Sequence, residues 1–362
     1  MIIDLSSRKN MFYWQTDRPL EPLDNKKIFL DRRNKFDKNL TKKAIIFGMM
    51  KAGKSKEESQ VVSIGEPSHF GSINNVACAE LADGTKIIIR SHPQEVKNGY
   101  LWVERLASLT ANNIGVPTYK TYYVYDQRKE FDFDFMIIER LPGKTMQELW
   151  PINDQLDKKL VYETGKYMAM IHQVETKNYG FFDNKIAKNE NKLVGQYKEF
   201  YEHIFSGLDN NLKFLVDQKV INNQQGKSVE KILFNNKGLM KTKAVLIHND
   251  IADWNQIVYK NHISGMIDWD ECFSGDPVCD FAQWSLFFDE KRMRNLISGY
   301  QEVTKLPDNF SEKMHVYNIR YLVSKMVLRK KRLLVEPGNQ FIIDRIKRGF
   351  EVIKKEFVYF KI

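Results

Sequence analysis

Cysteine is scarce: the 362 residues hold three, Cys78, Cys272 and Cys279. An odd number this small excludes a disulfide framework and fits a reducing compartment. Long apolar runs are missing as well. The cluster Ala44–Met50 falls well short of the roughly 20 apolar residues that a membrane-spanning helix needs, so no membrane association is expected. The opening Met1–Lys9 lacks a signal peptide's apolar stretch, and a cytoplasmic protein is the expectation. No Pro/Ser/Gly linker divides the chain, and no repeat with a period of about 20–50 residues is visible. Zinc is disfavoured, because His262, Cys272 and Cys279 lack a fourth ligand at suitable spacing.

What is present is an ordinary globular composition, 43% hydrophobic and 28% charged, long enough for two domains or one large two-lobed unit. The formal charge of +10 is unevenly spread. Residues 1–60 carry 14 Lys/Arg against 8 Asp/Glu and residues 311–362 carry 13 against 5, which leaves 61–310 at net −4. The basic residues at the ends are not woven into an identifiable nucleic-acid motif, so they read as a solvated or phosphate-attracting surface, without a nucleic-acid partner.

Periodicity divides the chain into a strand-rich first part and a helix-rich second part. Residues 1–39 are polar, irregular and without an assignable role. A helix is expected over Leu40–Ala52, started by Asn39 or Thr41 and stopped by Gly53. Strands follow at 60–64, 75–81 and 85–90, then a helix over 99–114 and a hairpin over 118–126 and 131–139. Helical spacing dominates afterwards, at 155–176, 190–206, 208–234, 278–303, 311–334 and 339–357. Short strands interrupt it at 244–247, 256–259 and 264–268. The pattern predicts an α+β architecture, divided as a 1–39 extension, a 40–141 N-terminal lobe and a 142–362 C-terminal lobe.

Gly48-Met-Met-Lys-Ala-Gly53-Lys54-Ser55 matches the phosphate-loop pattern G-x-x-x-x-G-K-[ST]. That pattern binds phosphate only when a buried strand enters it and a helix leaves it. Here a helix-like segment enters and a short polar one leaves, so the match reads as coincidence.

The chemistry concentrates in Val245–Tyr259 and Ser264–Glu271. An apolar strand delivers His248-Asn249-Asp250 to a loop, Asn255 follows five residues after Asp250, and a second strand delivers Asp268. Phosphoryl transfer from a nucleotide needs a carboxylate to orient the attacking hydroxyl and hard oxygen ligands for Mg²⁺. His-x-Asp-x-x-x-x-Asn followed by a separate Asp supplies that set in kinase order.

With these residues the chain resembles the aminoglycoside phosphotransferase and choline kinase group of the protein-kinase-like superfamily, over roughly residues 62–285. The matching stretches are His248-Asn-Asp250, Asn255, Ile267-Asp-Trp269, Gly275-Asp-Pro277, Asp280-Phe-Ala282, Met168–His172 and Asn178–Phe182. Ile138–Gly143 resembles the inter-lobe hinge and Phe70–Asn75 the phosphate-covering loop. The resemblance implies a two-lobed kinase-like fold, an antiparallel-sheet N-terminal lobe and a larger, mainly helical C-terminal lobe. It implies that Asp250 orients and deprotonates the acceptor hydroxyl and that Asn255 and Asp268 ligate Mg²⁺. Arg90, positioned by Glu104, would contact the phosphates of ATP or GTP, with Lys86 a rival on the same strand face. Ser72 and Asn74 would lie near the phosphates, and the backbone of Glu139 and Leu141 would read the nucleobase. His248 and His172 read as packed histidines, and Asp276 and Asp280 as braces for the catalytic loop.

The acidic middle region favours a small cationic hydroxyl acceptor, most simply an aminoglycoside, with Asp270 and Glu271 as candidate partners for its ammonium groups. Choline-like, amino-sugar and macrolide acceptors also fit the resemblance. Two other classes stand beside this reading: a non-catalytic nucleotide-binding member of the fold, and a nucleic-acid binder driven by the basic ends.

Overall fold

Along Asn75–Leu81 every second side chain is buried, which places Ala77, Ala79 and Leu81 on one face of a strand. The same face of the next strand, Lys86–Ser91, carries Ile87 and Ile89, and all five side chains share one core with Ala44, Ile45 and Met49 of the Lys38–Lys51 helix. The opposite face carries Ile88 and Arg90 and looks toward the helix Leu101–Asn113. This computed structural model describes residues 3–4, 7–68, 73–97 and 99–361. Its N-terminal sheet has five antiparallel strands in the order Val61–Ile64, Asn75–Leu81, Lys86–Ser91, Phe135–Glu139, Thr121–Tyr125.

The Lys38–Lys51 helix explains the phosphate-loop match. Gly48 lies inside the helix, where a Cβ would meet Ile137 at 2.5 Å and Tyr123 at 3.0 Å, so glycine allows helix and sheet to touch. Gly53, at φ +98°, ends the helix, and Lys54 pairs with Asp83 across the surface. The N-cap is Asp37, whose carboxylate accepts from the Asn39 and Leu40 amides, instead of the expected Asn39 or Thr41.

The larger C-terminal part is mainly helical, so the α+β, two-lobed expectation holds. Three of the expected helices are broken by local backbone chemistry. The stretch 208–234 splits into Leu208–Asp217 and Asn223–Asn235, because Lys219 is left-handed at φ 54° and Asn222 caps a new start. The stretch 278–303 splits into Val278–Ser285 and Glu290–Val303, the second capped by Asp289. Within 190–206 only Phe200–Phe205 forms a regular helix of its own, and Gly195–Tyr197 pairs as a strand with Tyr179–Phe182. Two long helices, Phe310–Val335 and Gln340–Tyr359, close the chain.

The first 39 residues are not a detached extension. Phe12, Tyr13, Trp14, Ile28 and Phe29 are buried in the main core, against side chains of the Phe310–Val335 helix among others. Apolar residues scattered irregularly through a charged stretch give no periodic signal, yet burying them fixes the segment's path across the C-terminal part. Among the described residues no helix is long and apolar enough to cross a membrane.

Candidate active site

The strand Val245–Ile247 pairs antiparallel with Phe273–Gly275, which anchors the start of the loop that follows. Asp280, on the Val278–Ser285 helix, accepts from the backbone amides of His248 at 3.1 Å and Asn249 at 2.7 Å, and meets His172 Nε2 at 3.0 Å. One buried carboxylate therefore fixes the loop backbone. His248 is fully buried, lies tilted with its ring centre 4.4 Å from that of Trp269, and accepts from the Asp250 amide at 3.3 Å; burial holds its pKa below the ordinary histidine value. Asn249 takes φ 62°, a left-handed conformation that Asn tolerates, and its Oδ1 accepts from Tyr321 Oη at 2.6 Å. Asp276 braces the neighbouring turn through Lys313, Tyr317 and the Val278 amide.

This scaffold presents Asp250 with both carboxylate oxygens oriented. Asn255 Nδ2 donates to Oδ2 at 2.7 Å and to the Asp250 carbonyl at 2.9 Å, while Gln283 Nε2 donates to Oδ1 at 3.2 Å. The Ile267 amide donates to the Asn255 carbonyl at 2.9 Å and so ties the two loops together. Next to it Asp268 stands at φ 67°, again a conformation that Asp bears better than most residues.

Arg90 joins the sheet to this loop. Its Nη1 donates to Glu104 at 2.5 Å and its Nη2 to Asp268 at 2.8 Å. Burial disfavours its charge, but Glu104 and Asp268 outweigh that and hold its pKa above the ordinary arginine value. Lys86 lies exposed at the other end of the strand. Asp268 has a pKa pushed up to about 6 by lost solvation and by the nearby Asp270 and Asp250 carboxylates, against the pull of Arg90.

These features suit a divalent cation. The Asn255 amide nitrogen is spent on Asp250, which leaves Oδ1 as the ligating atom, and only one Asp268 oxygen takes part in the Arg90 pair while the side chain stays 43% exposed. A carboxylate crowded by like charges gains most from a bound cation.

Five sequence-expected residues, Asp250, Asn255, Asp268, Arg90 and Glu104, thus form one connected set. Asn74 is buried, with its carbonyl accepting from Arg32 Nε at 2.7 Å. Glu139 ends its strand and gives its amide to the Lys120 carbonyl at 2.8 Å, and Leu141 packs on Gly265, where a Cβ would meet it at 2.1 Å. Ser72 lies outside the described residues.

Asp270 and Glu271 are corrected. They were expected as open carboxylates for a cationic acceptor, but they are 4% and 2% exposed and lie beneath the N-terminal segment. Arg8 Nη2 donates to Asp270 Oδ1 at 2.6 Å and Nη1 donates to its carbonyl. The amides of Trp14 and Gln15 donate to Glu271 at 3.2 and 3.3 Å. Burial works against the Asp270 charge, yet Arg8 keeps that carboxyl below its ordinary value; burial pushes Glu271 up to about 8. Sequence reasoning missed Arg8, Gln283 and Tyr321. Gln283 and Tyr321 carry no motif; Arg8 lies 262 positions from its partner, with no local signal of the contact.

The model of the phosphotransferase enzyme family matches residues 70–308, which include four of the five strands of the N-terminal sheet and the whole loop around Asp250. No curated protein matches the chain. Among solved structures, a thermostable mutant of aminoglycoside phosphotransferase APH(4)-Ia, in ternary complex with AMP-PNP and hygromycin B, superposes with a TM-score of 0.60 at 16% identity, over 82% of this chain and 95% of that one. Macrolide 2'-phosphotransferase MphH from Brachybacterium faecium does so with a TM-score of 0.56 at 14% identity, over 86% and 97%. At such identities the superpositions establish the protein-kinase-like fold, and the family match carries the chemistry: the chain belongs to the phosphotransferase enzyme family and is a small-molecule phosphotransferase with an alcohol group as acceptor.

Proposed function

We propose that the protein transfers the γ-phosphoryl group of ATP or GTP to a hydroxyl of a small acceptor, with Asp250 as the catalytic carboxylate. The observation that carries this reading is the orientation of Asp250: Asn255 and Gln283 hold its two oxygens, and Asn255 in turn is tied to the Asp268 loop. Asp250 accepts the acceptor's hydroxyl proton as the oxygen attacks the γ-phosphorus. The bond from that phosphorus to the β–γ bridging oxygen breaks, and the nucleoside diphosphate leaves. Arg90 keeps Asp268 in place and lends positive charge beside the phosphates. Asn255 and Asp268 are the residues that would hold Mg²⁺, which when bound neutralises charge on the phosphate oxygens. Ser72, Asn74, Glu139 and Leu141 complete the nucleotide side of this reading.

A cationic, aminoglycoside-type acceptor loses its support, because the carboxylates that were to bind its ammonium groups are occupied by Arg8 and by backbone amides. The chemistry itself is tested by following nucleoside diphosphate release with a panel of hydroxyl compounds. Turnover that needs Mg²⁺ and is lost in Asp250→Asn supports the reading; turnover that persists in this variant removes Asp250 from its role.

A further inference from the structure

The basic C-terminal end of the chain returns to the catalytic loop. On the Phe310–Val335 helix, Tyr321, Lys325 and Arg329 follow one another at intervals of four and so share a face. Tyr321 starts this stripe at the loop itself, through its 2.6 Å bond to Asn249, the neighbour of Asp250. One turn on, Lys325 is only 5% exposed, with its ammonium 3.9 Å from the Tyr13 ring and 5.3 Å from the Phe287 ring. Phe287 in turn meets Trp254 of the catalytic loop at 5.0 Å, edge to face. The next turn brings Arg329, which donates to the Arg345 carbonyl at 2.9 Å, and the Arg345 guanidinium lies 5.8 Å from Phe287.

Lys325 differs from the other buried cations, of which Arg18, Arg32 and Arg320 donate to carbonyl or amide oxygens. Arg8, Arg90, Arg292 and Lys313 each hold a carboxylate. Among the described residues, no carboxylate lies within ion-pair distance of Lys325, Arg329 or Arg345. A buried charge without a partner is costly, and it is retained where a ligand completes it. Of the carboxylates on the same wall, Asp270 is paired with Arg8 and Glu271 is held by the Trp14 and Gln15 amides, while Asp250 and Glu271 attract Lys325 only from beyond ion-pair distance.

We propose that the acceptor is anionic: its hydroxyl meets Asp250 while a phosphate or carboxylate on the same molecule binds Lys325, with Arg329 and Arg345 on the solvent side. This inference rests on the phosphotransferase reading and reverses the acceptor charge expected from the acidic middle of the sequence.

The test is a series matched in size and differing in charge. Glucose 6-phosphate, glucose and glucosamine are titrated calorimetrically into the full-length protein with Mg²⁺ and AMP-PNP present. Glucose 6-phosphate is expected to bind at least about tenfold more tightly than the other two, the size of a charge-assisted hydrogen bond. Lys325→Met should remove that preference and Arg329→Gln should reduce it, with AMP-PNP affinity unchanged in both as proof of folding. Glucosamine binding as tightly as glucose 6-phosphate, no difference among the three, or a preference that survives Lys325→Met overturns the inference. If wild-type protein fails to bind AMP-PNP with Mg²⁺, the phosphotransferase reading itself has failed.

Discussion

The two sides of Asp250 are built in opposite ways. On the nucleotide side every charge is answered by a near neighbour: Arg90 bridges Glu104 and Asp268, and Asn255 holds Asp250 from five residues away. On the acceptor side the wall comes from the two ends of the chain. Arg8 reaches Asp270, Tyr13 lies under Lys325, and the Lys331 ammonium donates to the Thr16 carbonyl at 2.8 Å. The first side is a closed electrostatic set. The second leaves Lys325 with no carboxylate at ion-pair distance among the described residues, which is where the proposed anionic acceptor would bind.

The contrast can be pressed by mutation, and the largest effect belongs on the nucleotide side. Asp268→Ala should abolish turnover, because it would remove a proposed Mg²⁺ ligand and release Arg90 together. A Mg²⁺ titration of the residual rate checks this, and a normal metal dependence would take Asp268 out of the metal site. Asp250→Asn should lower kcat by about 10²–10⁴ while nucleotide affinity stays near wild type, the usual worth of a positioned general base. Single-turnover kinetics beside calorimetry separate the two quantities.

On the acceptor side the first effect expected is on stability. Arg8→Ala strands Asp270 in the core and should cost about 3–5 kcal/mol in urea denaturation, as removal of one partner of a buried pair does. Loss below 1 kcal/mol would mean that the N-terminal segment is not held there by this pair.

Lys325→Met should act in the other direction. The native Lys325 pKa is depressed to about 8 by burial, which outweighs the attraction of Asp250 and Glu271, with a smaller push from Arg329 and Arg345, against an ordinary value near 10.5. The unfolded chain therefore holds the proton more firmly, so charging Lys325 destabilises the native state below pH 8, and the penalty fades as pH rises toward 10.5. The methionine variant should gain on the order of 1–3 kcal/mol at pH 7 and progressively less above pH 8. Thermal melts at several pH values decide it: no gain at pH 7 would mean that something already compensates this lysine. The smallest effect belongs to Lys54→Ala. It removes an ion pair with Asp83 outside both sides of the site, so nucleotide affinity should not move, and stability should fall by no more than about 1 kcal/mol.

Much of the nucleotide side was legible because its spacing is local. His248, Asp250, Asn255 and Asp268 lie in one strand–loop–strand stretch, where spacing alone implies a shared site. Arg90 and Glu104 follow from a strand and the helix after it. The breaks in the long helices were less legible, since Lys219 takes a left-handed turn that its residue type does not announce. Gln283 escaped notice for a similar reason, as a glutamine inside an amphipathic helix has no spacing signature of its own. The acceptor side was misread. Net charge of the middle region pointed to free carboxylates at Asp270 and Glu271, but charge summed along a chain does not record which cation neutralises which anion.

The sequence by itself determined the two-lobed class, the phosphotransferase family and the residues that meet around Asp250, because those depend on periodicity and on residues a few positions apart. Only the tertiary structure decided which charges beside Asp250 are already paired. That depends on contacts such as Arg8 to Asp270, across 262 positions, and hydrophobic burial of Phe12, Tyr13 and Trp14 is what holds this segment against the Phe310–Val335 helix.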